Sequence, residues 1–170
     1  MALQPLTNAG WGFETNCFVC EPSNPLGLRI AYFLDDEAQF VTAEFTLGVE
    51  HSGAPPYVHG GVLLAILDEA MAWAAIAVGG RFAVVQSTAT TFDRPVRIDE
   101  PHHVEASIHE RSDTAVTARA TVSDAGGRRC ARARARLVVL STAVAGAAIG
   151  PVTGADIRYL RPLPSQENQE

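Results

Sequence analysis

Gly60 and Gly61 follow Tyr57-Val58-His59 and open a long apolar segment, and Asp68 interrupts that segment eight residues later. If the segment is helical, its first turn carries no side chains at the glycines, and its unpaired backbone N–H groups stay open to a ligand. Donors fixed at a helix N-terminus suit an oxyanion, because they strengthen as charge develops on a carbonyl oxygen under attack. A glycine pair also serves a tight loop-to-helix entry with no ligand, and position alone does not separate the two readings. Asp68, with Glu69 beside it, lies among Val, Leu, Ala, Ile, Met and Trp. An apolar setting makes an ionised carboxylate costly and raises its pKa, which suits a general base or nucleophile. The plainer alternative is a narrow solvated stripe holding both acids. Eight residues of helix are about 12 Å of axis. One chain therefore keeps Gly60 and Asp68 apart, whereas two-fold pairing would set the helix start of one copy near the acid of the other. A homodimer is expected on that ground.

The elements that must position these residues can be read outward from them. Gly60 to about Val78 has helix length, is rich in Ala and Leu, and stops at Gly79-Gly80. Its apolar residues cover nearly all sides, so it belongs inside a protein or against a sheet. Before it, Leu28–Leu34 and Ala38–Leu47 read as two strands joined at Asp35-Asp36-Glu37. The stretch from Gly48 to Val58, with Gly53 and Pro55-Pro56, reads as a loop. After it come four strand-like segments, Ala83–Phe92, His103–Arg111, Ala115–Ser123 and Arg128–Leu140, the last two joined by Asp124-Ala125-Gly126-Gly127. One long apolar helix among hairpin-linked strands is an α+β layer structure with the sheet wrapped on the helix. Residues 1–27 are a turn-rich lead-in, 28–140 the domain, and 141–170 a tail whose proline-rich, polar end is expected to be partly disordered.

Composition narrows the function classes. A chain of 170 residues suits one domain. A net charge of -6 gives a polyanion little reason to approach, so nucleic acid is not an expected partner. The first ten residues lack a basic start followed by an apolar run, and Asp68 and Glu69 break the longest apolar stretch, so neither a signal peptide nor a membrane span is expected. Three cysteines, Cys17, Cys20 and Cys130, fit a reducing cytoplasm better than a disulfide framework. Cys17 and Cys20 form one C-x-x-C without a second pair, so no metal site is expected and buried small side chains are the preferred role. Arg132, Arg134 and Arg136 alternate on the last strand and project from one face, read first as a solvated surface and second as a contact for coenzyme A phosphates or a subunit. His102-His103 reads as an exposed turn.

Tyr57-Val58-His59-Gly60-Gly61 followed by Leu67-Asp68-Glu69 resembles the signature of hotdog-fold acyl-CoA thioesterases of the phenylacetate-pathway type. Cys17-Phe18-Val19-Cys20 with Asn24-Pro25-Leu26-Gly27-Leu28, and Phe92-Asp93-Arg94-Pro95, resemble further parts of that group, so the resemblance spans roughly residues 16 to 140. It implies a hotdog fold, with a long helix wrapped by an antiparallel sheet and two such domains pairing to form two sites. It also implies that the Gly60 N–H polarises the thioester carbonyl, that His59 shapes the helix entrance, that Gly61 lies among the substrate-binding residues, and that Asp68 of the facing subunit activates water or attacks directly. No metal or redox cofactor is needed. The implied partner is an acyl-CoA or acyl-carrier-protein thioester, and the implied assembly a homodimer or a dimer of dimers. Two positions depart from the pattern. Relatives often carry Ser or Thr where Val85 stands, with Ser87 two residues on as a substitute, and some carry a polar side chain where Gly53 stands. Those departures keep a non-hydrolytic acyl-CoA-binding protein as an alternative, beside a hydratase or dehydratase on the same fold.

Overall fold

A computed structural model describes residues 3–9 and 15–149. At its centre is α1, Gly60–Ala77. Its 18 residues, with a mean hydropathy of 1.6, are apolar and long enough by composition to cross a membrane. Here that apolar surface is spent on packing: Leu63, Ile66, Leu67, Ala70, Met71 and residues 73–76 are buried. The helix ends where Gly80 takes a left-handed conformation, φ 64°, letting the Arg81 N–H turn back to the Ala75 carbonyl at 3.1 Å.

Around α1 lies a seven-stranded sheet built from β1 (Gln4–Leu6), β2 (Tyr32–Asp35), β3 (Phe40–Phe45), β6 (Ala83–Phe92), β7 (His102–Arg111), β8 (Ala115–Asp124) and β9 (Arg129–Val139). Its spatial order is β1-β2-β3-β7-β8-β9-β6, with every neighbouring pair antiparallel. Alternation along β8 and β9 decides which face meets the helix. Val116, Ala118, Ala120, Val122, Ala131, Ala133, Ala135 and Leu137 are buried, while Arg119, Arg132, Arg134 and Arg136 stand exposed between them. The small inward alanines let the sheet come close to α1. Tyr32, buried on β2, donates its hydroxyl to the Ile66 carbonyl at 3.1 Å and so ties the far side of the sheet to the middle of the helix.

A 3-10 turn (Val49–His51), a small hairpin, β4 (Ser52–Ala54) and β5 (Tyr57–Val58), and a helix α2 (Thr142–Ile149) complete the described elements. The arrangement, one long helix held by an antiparallel sheet, is the hotdog fold.

Several sequence expectations shift here. The first predicted strand begins later, at Tyr32, because residues 28–30 hold a loop instead: Leu28 and Ile30 donate to the Phe18 and Val19 carbonyls at 2.8 and 2.9 Å. The lead-in, expected to hold only turns, supplies β1, which pairs with β2. The loop between Gly48 and Val58 contains the β4–β5 hairpin. His102 and His103 do not form an exposed turn. They begin β7, with His102 buried and stacked on Phe45 at 5.8 Å and His103 Nδ1 2.8 Å from Glu44 Oε1. The tail forms α2 as far as residue 149, and its proline-rich end lies outside the described residues.

Candidate active site

The start of α1 is fixed from both sides. His59 donates its backbone N–H to the His51 carbonyl at 2.9 Å, and Val58 donates to the Val96 carbonyl at 2.8 Å. His59 is the N-cap: its Nδ1 accepts the Gly61 N–H at 2.9 Å, which puts the ring proton on Nε2. Val62 and Leu63 donate to the His59 carbonyl at 3.0 and 3.3 Å. These bonds occupy the first-turn amides except that of Gly60, whose N–H has no protein partner among the described residues. A free donor at a helix N-terminus is what a developing oxyanion requires.

Gly60 opens into a cleft of about 330 Å³ lined by Val58, Leu63, Phe92 and residues 93–96. A methyl group added at Gly60 would meet only the Phe92 ring, at 3.6 Å, so glycine here leaves space rather than relieving a clash. Gly53 differs. A Cβ there would come within 3.0 Å of His59 Cδ2 and 3.1 Å of His59 Cα, so the β4–β5 hairpin closes on the cap only because position 53 has no side chain. The same contact explains why Gly53 supplies no polar group to the site.

The pair of acids divides. In the single chain Asp68 is exposed rather than buried, and it continues a stripe on α1 with Gly61 and Leu64. Partial burial still pushes its carboxyl above the usual range. Glu69 turns the other way, half-buried against the Cys17–Cys20 turn, and burial pushes its carboxyl up to about 7. The hydrogen bond from Cys20 pulls the Cys17 thiol down to about 5 and pushes that of Cys20 up. Thus the more buried acid of the pair is Glu69, and Asp68, expected to be buried, lies on an open face. Gly60 and Asp68 remain about 12 Å apart along the helix axis.

Position 85 shows what counting along a strand misses. Val85 lies opposite inward Leu137, but a bulge falls between Val85 and Ser87, and Ser87 lies opposite outward Arg136. Ser87 is therefore not on the face of Val85 and does not turn its hydroxyl toward α1. Past the bulge the inward partners are Thr88, opposite Ala135, and Thr90, opposite Ala133, whose hydroxyls lie 3.5 Å apart. The hydroxyls on the helix side of β6 are these two, which spacing from Arg94-Pro95 does not indicate.

The Phe92-Asp93-Arg94-Pro95 segment closes the cleft. Asp93 meets Arg129 Nε at 2.8 Å and Arg132 Nη1 at 3.1 Å, and Arg94 Nη1 donates to the Arg129 carbonyl at 2.9 Å. These bonds pin the end of β6 to β9. They also engage Arg132, while Arg136 bonds the Gln86 side chain, so part of the arginine stripe is already paired within the chain.

With this geometry established, residues 56–131 match the family model described as the thioesterase superfamily. The likeness to that superfamily covers the segment from the hairpin before α1 into β9, which includes the whole helix. Among solved structures, a thioesterase superfamily protein is 27% identical, with a TM-score of 0.64 over 70% of this chain. The chain spans 57% of that protein's length. A hypothetical thioesterase of Streptococcus pneumoniae, solved with coenzyme A, is 15% identical over 59% of this chain and 78% of its own, with a TM-score of 0.57. The E. coli PaaI protein, from the phenylacetic acid degradation operon, is 19% identical over 58% of this chain and 75% of its own, with a TM-score of 0.54. The last two share the fold. Among curated proteins, none matches this sequence.

Proposed function

We propose that this hotdog domain belongs to the thioesterase superfamily and hydrolyses acyl-CoA thioesters, at sites shared between two copies of the chain in the cytoplasm. The observation that carries the reading is the unpartnered Gly60 N–H at the head of α1, opening into the cleft under Phe92. In the reaction the substrate carbonyl points at that N–H. Asp68 of the facing copy takes a proton from water, the water oxygen bonds the carbonyl carbon, and the tetrahedral oxyanion is held at Gly60. The C–S bond then breaks, the thiolate recovers a proton, and a carboxylic acid and free thiol leave.

Three features support two copies. Gly60 and Asp68 are separated along one helix, Asp68 and Leu64 are open on its surface, and β6 is a ten-residue edge strand with Val84 and Phe92 46% and 50% exposed. A long unpaired edge beside exposed apolar side chains is a surface for another strand.

Thiol release from a panel of acyl-CoAs tests the reading. Asp68→Asn removes the base but keeps the shape, and kcat should fall by about 10²–10⁴-fold with KM little changed. Full activity in the variant would defeat the assigned mechanism. A second reading, binding without hydrolysis, is favoured by the absence of a hydroxyl at Val85. Tight acyl-CoA binding by the wild type with no thiol released would establish it in place of the first. A hydratase on this site is separated by loss of enoyl-thioester absorbance on adding crotonyl-CoA without release of free thiol.

A further inference from the structure

The Cys17–Cys20 turn has no part in the thioester site, yet it is among the most closely tied loops of the chain. Cys17 Sγ accepts the backbone N–H groups of Val19 and Cys20 at 3.3 and 3.2 Å, so the sulfur sits in a pocket of amides made by its own turn. The Asn24-Pro25-Leu26-Gly27 segment clamps that turn. Asn24 Nδ2 donates to the carbonyls of Asn16 and Cys17 at 3.3 and 3.4 Å, and a Cβ at Gly27 would strike the Phe18 carbonyl at 2.7 Å. Cys20 is buried, and its sulfur accepts from Asn8 Nδ2 at 3.3 Å. Into this turn α1 sends Glu69, and one carboxylate oxygen and the two sulfurs all lie within 4.8 Å of one another.

Filling space does not account for this set. Ala or Val would fill the same volume, whereas a carboxyl group brought against two sulfurs needs a shared proton or a cation between them, and among the described residues no arginine forms an ion pair with Glu69. The chain has no lysine to offer. Two thiolates and a carboxylate converging from separate elements are three of the four positions of a tetrahedral site. In such a site the ligand atoms stand about 3.7 Å apart, so closure needs a side-chain adjustment on the order of 1 Å. The Val19 and Cys20 amides and the Asn8 amide already donate to the sulfurs, as the outer partners of bound thiolates do.

We propose that Cys17, Cys20 and Glu69 bind one thiol-seeking divalent cation, with zinc the best match and water in the fourth position. Binding joins the dication to two thiolates and one carboxylate, for a net charge of -1, and displaces whatever protons those three groups still carry. The ion takes no part in hydrolysis. It fastens the lead-in turn to the middle of α1, one residue from Asp68.

Cobalt substitution in the full chain, reduced and stripped with a chelator, reads the site directly. Wild type should bind one Co²⁺ per chain, with a thiolate-to-cobalt band in the near ultraviolet and the visible bands of tetrahedral cobalt, both displaced by zinc. Cys17→Ser and Cys20→Ser should each lose the thiolate band or cut it by about half, with Cys130 unable to replace them. Glu69→Gln should keep the band but bind about tenfold or more weakly. The wild-type titration decides the matter even if a cysteine variant fails to fold. A fully reduced wild type that shows no thiolate band overturns the proposal, and so does a folded Cys17→Ser/Cys20→Ser variant that binds cobalt as the wild type does. Ready closure of the pair to a disulfide without cobalt binding also overturns it, and marks the pair as a redox dithiol.

Discussion

Gly60 makes two demands that can be separated at the level of one residue. Alanine is the better helix former, and its methyl would find ordinary contact with the Phe92 ring at 3.6 Å, so Gly60→Ala should fold and melt no lower than wild type. The same methyl stands at the mouth of the cleft, between the free N–H and any carbonyl that approaches it. Acyl-CoA hydrolysis should therefore fall about tenfold or more while the melting temperature holds. Equal loss of both in a thermal melt and a thiol-release assay would show that Gly60 serves only the helix entry. Position 85 offers the converse test, a gain. Val85 faces inward opposite Leu137, so Val85→Ser places a hydroxyl on the helix side of β6 without moving the strand. If the missing hydroxyl limits the reaction, kcat should rise by about tenfold. An unchanged kcat means that Thr88 and Thr90 already serve, or that no strand hydroxyl is needed.

At the scale of elements, the link between helix and sheet is concentrated at Tyr32, whose buried hydroxyl reaches the Ile66 carbonyl. Tyr32→Phe keeps the ring and removes one hydrogen bond, so chemical denaturation should show a loss of about 1 kcal/mol with an unchanged slope. The order of these elements was legible in the sequence because each carries a strong local pattern: eighteen nearly unbroken apolar residues for α1, period-two alternation for β8 and β9, and a turn at Asp124–Gly127 whose Asp124 side chain accepts the Gly126 and Arg128 amides. What stayed illegible depends on pairing rather than pattern. Gln4–Leu6 becomes a strand only because β2 offers an edge, and the β6 bulge, which turns Ser87 outward, exists only in register with β9. Asp68 and Glu69 are neighbours with one composition around them. Only the helix phase separates the acid on the open stripe from the acid packed on the cysteine turn. The open helix start at Gly60 could thus be read from residue types, whereas Asp68 could be read as an acid but not as an exposed one.

For the whole molecule, the open side is the side where the proposed site would need a second copy. β6 ends the sheet, its inward Thr88 and Phe92 are exposed, and the helix stripe of Gly61, Leu64 and Asp68 lies bare. Antiparallel pairing of β6 with β6 of a second copy, about a two-fold axis, would cover that edge and present Asp68 of each chain to the other's cleft. Sedimentation should then give twice the 18.1 kDa of one chain. Ser87, near the middle of β6 and turned outward, separates assembly from folding. Within one chain Ser87→Asp is well tolerated, because its cross-strand neighbour is Arg136 and opposite charges on facing strands attract. Across a two-fold axis through the middle of β6, the same change sets two carboxylates near each other, and like charges there oppose pairing. The variant should keep the wild-type circular dichroism, sediment at the mass of one chain at low concentration, and lose acyl-CoA hydrolysis in proportion to the dimer lost. A folded, monomeric Ser87→Asp protein with full activity would place the whole reaction within one chain, and Asp68 would then have to reach the Gly60 carbonyl site along its own helix, across the distance that makes a shared site necessary.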